Sequence, residues 1–145
     1  EANTAVDALE LRLELAKTEW RVRSCYQNRN DLGVANGLAQ SHDPNGQYDS
    51  DRSNIDYTHL CDDIADNFEL ESRISYYYYT QQVDTNTTLF PAGSPGFPEG
   101  VIGAPSYREE QARFDLCGLF DGIGGHFMRF GIGGFWGDIY ETPEL

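Results

Sequence analysis

Lysine is almost missing from this chain: Lys17 stands alone among ten basic residues, the rest being arginine. Twenty-four acidic residues bring the formal net charge to −14. Nucleic acid is set aside on that ground, because phosphate recognition calls for clustered Lys and Arg. Much acid with so little lysine also suits high salt, where screening relieves self-repulsion. No run of eighteen apolar residues is present, which excludes an ordinary helical membrane span. Cysteine is scarce, and Cys25, Cys61 and Cys117 stand too far apart for a Cys-x-x-Cys pair. Iron–sulfur, structural zinc and thioredoxin-type readings therefore lack their local spacing. The chain opens at Glu1 with no leader-type apolar segment, as a processed or trimmed form would.

What is abundant is glycine and aromatic side chain near the C-terminus. Gly122-Ile123-Gly124-Gly125-His126-Phe127 recurs nine positions later as Gly131-Ile132-Gly133-Gly134-Phe135-Trp136. Glycine loses the most backbone freedom on folding, so such a tract orders only where tight turns or close packing repay it. Neither copy is a nucleotide-binding fingerprint, since no lysine follows and no clear strand precedes. The stretch from Gly118 through Trp136 resembles viral fusion peptides in its glycine-and-aromatic composition, though Asp121, His126 and Arg129 interrupt it. Membrane contact through 118–137 is not the favoured reading; packing against other parts of the protein or a neighbour is.

At 145 residues the chain reads as one acidic α+β domain with about three helices packed on a short antiparallel sheet. Val6, Leu9, Leu13, Ala16 and Trp20 recur at three- and four-residue spacings and predict a helix over 4–23. Residues 28–52 carry turn formers, with Asp43-Pro44-Asn45-Gly46 the strongest signal. Tyr57, Leu60, Cys61, Ile64 and Phe68 suggest a second helix over 54–72. Ile74 to Thr80, with four consecutive tyrosines, is the best strand, and 81–90 a weaker one. Four prolines and four glycines make 91–105 a loop. Ser106 with Glu109 forms a capping box for a third helix over 107–118, and 121–145 is a glycine-rich tail.

Four sets of residues are candidates for chemistry. Asp43, Asn45, Asp49 and Asp51 are candidate calcium ligands, although Tyr48 and Asn54 occupy the positions where an EF-hand needs Gly and Glu. His59 with Asp62 or Asp63 is a candidate catalytic pair; a helix would set His59 and Asp63 one turn apart. Asn86-Thr87-Thr88 matches the glycosylation pattern, making Asn86 a candidate acceptor. Cys25, Cys61 and Cys117 are disulfide candidates, with three pairings open.

The favoured expectation is a non-catalytic extracellular or cell-surface subunit that assembles through aromatic and apolar surface. Trp20, Tyr76, Tyr78, Phe127, Phe130, Phe135 and Trp136 are the expected interface, because aromatic residues anchor contacts. The partner is a second copy or a larger protein, with no nucleic acid and no transmembrane segment. A small secreted hydrolase built on the His–Asp pair, with or without a metal, and a calcium-stabilised binding module are the alternatives. No cofactor other than that calcium is expected.

Overall fold

The computed structural model describes residues 6–33, 43, 46–83 and 87–142, and these contain no helix. Eight strands account for most of them: β1 (Asp7–Lys17), β2 (Trp20–Gly33), β3 (Gln47–Ala65), β4 (Phe68–Val83), β5 (Thr88–Phe90), β6 (Val101–Ile102), β7 (Ser106–Ile123) and β8 (His126–Thr142). Six form one antiparallel sheet in the order β1-β2-β3-β4-β7-β8, while β5 and β6 pair separately. The α+β expectation is thereby overturned. The expected helix over 4–23 is β1, a Thr18-Glu19 turn and the start of β2. The one over 54–72 is the end of β3 and the start of β4, and the one over 107–118 lies inside β7. Residues 74–80 are strand as expected, within the longer β4. The turn region 28–52 and the tail 121–145 are both largely strand where they are described.

The physical reason is visible in β1. Leu9, Leu11, Leu13 and Leu15 alternate with Glu10, Arg12 and Glu14, a strict period of two. Of the five residues whose three-and-four spacings suggest a helix, only Leu9 and Leu13 belong to this alternation; Ala16 falls on the opposite face, and Val6 and Trp20 lie outside β1. Glutamate and arginine, good helix formers, give way here to pairing along the whole strand. β1 and β2 stay in unbroken register from Asp7↔Asn30 to Lys17↔Trp20.

The strands are long, reaching nineteen residues in β3. They are joined by very short turns at one end: Thr18-Glu19, Asp66-Asn67 and Gly124-Gly125. Asn67 (φ 60°) and Gly125 (φ 79°) supply the left-handed backbone that such turns demand. Neighbouring turns are stitched together, Leu60 N–H donating to Glu19 O at 2.7 Å and Asp121 N–H to Asn67 O at 3.1 Å. The opposite end carries the long connections, 34–46 and 84–105. The second of these holds β5, β6 and a Phe90–Phe97 ring stack at 4.6 Å. Among the described residues no hydrophobic side chain is buried. A single sheet has no second layer to form a core with, so both faces meet the surroundings.

Candidate functional site

The direct pairing of residues across the sheet assigns every strand position to one of two faces. Starting from Leu13, the register runs Leu13↔Ser24↔Ile55↔Tyr76↔Ala112↔Trp136. One step towards the short turns it runs Leu15↔Val22↔Tyr57↔Ile74↔Phe114↔Gly134. This face is apolar through its middle and exposed: Leu11 is 57 %, Ile74 55 % and Ile132 71 % accessible. Aromatic residues flank it at both ends. Trp20, Phe68 and Phe120 lie towards the short turns, and Tyr26, Tyr78, Trp136 and Tyr140 towards the long connections. Beyond those tyrosines the same face turns polar, with Asn28, Asp51, Thr80 and Arg108 in consecutive strands. Arg108 lies against the Tyr78 and Tyr140 rings at 5.4 and 5.8 Å and is hydrogen-bonded to Glu110.

The apolar band does not run straight across the strands. On β1 it is Leu9 to Leu15, while on β8 it is Met128 to Trp136. Following the register from between Leu11 and Leu13 reaches β8 between Trp136 and Asp138, well past the band's centre at Ile132. The displacement is about five residues, or roughly 17 Å, over about 24 Å of sheet width, an inclination of roughly 35°. The strands are thus oblique to the band.

The other face reads Glu14↔Arg23↔Asp56↔Ser75↔Arg113↔Phe135 and, one step on, Ala16↔Arg21↔Thr58↔Arg73↔Asp115↔Gly133. Arg12, Arg21, Arg23, Arg29, Arg52, Arg73, Arg113 and Arg129 all fall on it, leaving only Arg108 on the apolar side. Ion pairs join Arg113 to Asp115 (2.7 Å), Arg21 to Glu14 (3.4 Å), Arg73 to Glu71 (3.7 Å) and Arg12 to Glu10. The hydrogen bond from Arg113 holds the Asp115 carboxyl below its ordinary range, and the same bond raises the Arg113 guanidinium. Burial pushes the Tyr79 hydroxyl up, with Arg29 and Arg52 opposing the rise. Arg129 donates to Cys117 Sγ at 3.0 Å. Shallow concavities open on this polar side, one of about 660 Å³ lined by Arg23, Cys25, Arg29, Arg52 and Asp56 among others.

Glycine has a defined place in this arrangement. Gly131, Gly133 and Gly137 stand on the polar face of β8, interspersed with Arg129, Phe135 and Ile139. At Gly133 a Cβ would meet Asp115 Oδ1 at 2.7 Å and Phe114 O at 3.1 Å. Without one, Asp115 has the space in which it receives Arg113.

The sequence candidates divide as follows. Trp20, Tyr76, Tyr78, Phe130 and Trp136 share the apolar face, whereas Phe135 lies on the polar one and alternation puts Phe127 there too. His59 sits on the apolar face opposite Trp20 and Ser72, stacked on Tyr57 at 6.4 Å. In a strand, four residues span about 13 Å, so the one-turn proximity of His59 to Asp63 that a helix would give is lost. Asp62 is exposed, and the Asp63 side chain lies outside the described residues. Asp43 accepts from Gly46 N–H (2.8 Å) and Thr88 N–H (2.7 Å), tying the first long connection to β5. Asp49 accepts from Asp31 N–H (2.9 Å), and Asp51 accepts from the Tyr26 hydroxyl and the Asn28 amide, both at 2.9 Å. The bond to Asp51 raises the Tyr26 hydroxyl. Asn45 and Asn86 lie outside the described residues. Among the described residues no three His, Cys, Asp or Glu side chains converge as a metal site.

The disulfide expectation is corrected, because all three cysteines are free. Cys25 and Cys117 share the polar face but are three strands apart, at least about 14 Å, against the roughly 4.4–6.8 Å between Cα atoms that a bridge allows. Cys61 is on the opposite face from Cys117, aligned with Leu70 and Gly118. No helix of the described residues is long and apolar enough to cross a membrane, which does not bear on crossing by strands. Comparison with protein-family profiles, curated proteins and solved structures finds no match.

Proposed function

We propose that this chain contributes a six-stranded sector to the wall of a transmembrane β-barrel, with its leucine-rich face against lipid and its arginine-rich face towards water. The observation that carries this reading is the slanted apolar band. Strands in such barrels are tilted about 35–45° from the membrane normal, and an inclination of roughly 35° is what brings the band level with a bilayer. Along β8, Met128 to Trp136 spans about 27 Å, or about 22 Å along the normal at that tilt, against an apolar belt of about 25 Å in known barrels. Aromatic girdles, short turns at one end and long connections at the other belong to the same architecture. A two-faced single sheet without a core is costly in water, since its exposed leucine, isoleucine and phenylalanine gain nothing there. In hydrocarbon the same side chains are satisfied.

The partner of the aromatic surface is then lipid, and Phe130, Ile132 and Trp136 are among the residues that meet it. Backbone groups along the free edges of β1 and β8 would be unsatisfied in a bilayer, at several kcal/mol each. Closure therefore requires further strands, because the smallest single-chain barrels have about eight. With six strands, β1 and β8 run in opposite directions, so the added neighbours can continue the antiparallel pattern at both edges. The test is quenching of Trp20 and Trp136 by lipids brominated on their acyl chains, after refolding into vesicles. Both lie on the apolar face and are expected to be quenched, with water-soluble iodide ineffective. Efficient iodide quenching of both, with none by brominated lipid, would refute the reading.

A further inference from the structure

We infer that the polar face lines a conducting path selective for small anions such as chloride, carboxylates and phosphate, an inference that rests on the barrel-wall reading. The chain as a whole is strongly acidic, yet the polar face is not. Its eight arginines face seven carboxylates with described side chains in the paired register, so the surplus of negative charge is carried elsewhere in the chain. Most of those carboxylates are already occupied. Glu10, Glu14, Glu71 and Asp115 are paired with arginine, and Glu109 accepts from the Tyr107 hydroxyl and from Gln111.

Arg23, Arg29, Arg52 and Arg129 are in the opposite condition. Among the described residues none has a carboxylate oxygen within ion-pair distance. Arg52 lies instead 5.4 Å from the centre of the Tyr77 ring, and Arg129 turns to the Cys117 sulfur. Three of the four, Arg23, Arg29 and Arg52, border the same 660 Å³ concavity, which Arg12 and the carboxylates Glu10, Glu14 and Asp56 also line, leaving arginine in excess by one. An uncompensated guanidinium in a channel wall stabilises a passing anion and raises the barrier for a cation, which is how charged side chains set selectivity in pores. Guanidinium remains protonated throughout the accessible pH range, so this bias is permanent. On the β8 flank Gly131, Gly133 and Gly137 alternate with Arg129, Phe135 and Ile139 on the same face. Among the described residues the apolar face carries two cations, Lys17 at the end of β1 and Arg108, which is held by Glu110.

The test is the reversal potential of the whole protein in planar bilayers under a potassium chloride gradient. A potential of the sign set by chloride is expected, with PCl/PK above unity. In the triple variant Arg23→Gln, Arg29→Gln and Arg52→Gln that ratio is expected to fall several-fold, and Arg108→Gln is expected to leave it unchanged. Cation selectivity in the unaltered protein, or a ratio unmoved by the triple variant, would overturn the inference while leaving the barrel wall intact. Quenching by brominated lipid without any conductance would do the same. Failure to insert at all would remove both. If the triple variant fails to fold, the single variants Arg23→Gln and Arg52→Gln are read separately, each expected to lower the ratio in part.

Discussion

Replacing Ile74 by arginine and, in a second variant, its neighbour Ser75 by arginine places the same side chain one residue apart on opposite faces of β4. Both sites are on an interior strand, flanked by β3 and β7, so edge effects do not enter. Ile74 is opposed by Tyr57 and Phe114 and lies near the middle of the apolar band. Ser75 is opposed by Asp56 and Arg113, where a new guanidinium gains one carboxylate and meets one like charge. An arginine on the lipid face costs about 2–4 kcal/mol at the bilayer midplane and about 0–1 near the interface. Ile74→Arg is therefore expected to lower stability in vesicles by about 2–4 kcal/mol, a factor of roughly thirty or more in the folding equilibrium. Ser75→Arg should stay within about 0.5 kcal/mol, as polar surface substitutions do. Denaturant unfolding in phospholipid vesicles, followed by Trp20 and Trp136 fluorescence, measures both. In water the two faces would be equivalent in this respect, since Ile74 is already exposed. Equal effects of the two variants, within about 0.5 kcal/mol, would refute the assignment of faces.

The other expectations concern single sites. A Cβ added at Gly134 would meet no heavy atom within 4 Å, so Gly134→Ala should be tolerated and can stabilise by about 0.4–1 kcal/mol through the unfolded chain. Gly133→Ala, in contrast, crowds Asp115 and the Phe114 carbonyl and should be the less stable of the pair in the same unfolding assay. Asp115 should titrate below the ordinary carboxylate range, because Arg113 favours the ionised form. A folded value depressed in this way means that the stabilisation is present above the unfolded pKa and fades as pH falls through the folded one. Carboxyl-carbon NMR should show that midpoint returning to the ordinary range in Arg113→Gln; an unchanged midpoint would refute the pairing. Three free thiols should react with a maleimide after denaturation without reductant, and a count of one would indicate a bridge.

Much of the local pattern is legible in the sequence, and the element type is not. The four-tyrosine strand is recognisable because tyrosine is a strong strand former and its run has no competing period. In β1 the competing signals overlap: Leu9, Leu13 and Ala16 fit a helix stripe, while Leu9, Leu11, Leu13 and Leu15 fit a strand. The residues of the expected helix belong instead to two strands separated by a turn at Thr18-Glu19. The decisive signal is the unbroken alternation of leucine with charge, which a broad helix face does not require. Tyr76 and Tyr78 on one side of the chain and Tyr77 and Tyr79 on the other follow from the same alternation and are found so. The segregation of arginine cannot be read from spacing alone, since it depends on cross-strand register over the whole sheet. Cys25 and Cys117 illustrate the same limit: their common face emerges only once three intervening pairings are known.

A nitroxide scan along β4, one labelled cysteine at a time from residue 69 to 79 in a background with the native thiols replaced, reads the lipid and water faces of the sheet position by position. In vesicles, labels at 70, 72, 74, 76 and 78 should be accessible to oxygen dissolved in lipid, and those at 69, 71, 73, 75, 77 and 79 to a water-soluble nickel chelate. Repeating the scan on β1 and β8 should place the deepest lipid-facing labels near Leu11–Leu13 and near Ile132, reproducing the slant of the band. Labels on both faces equally open to the chelate, or a depth maximum that follows the register straight across the sheet, would rule out the barrel wall.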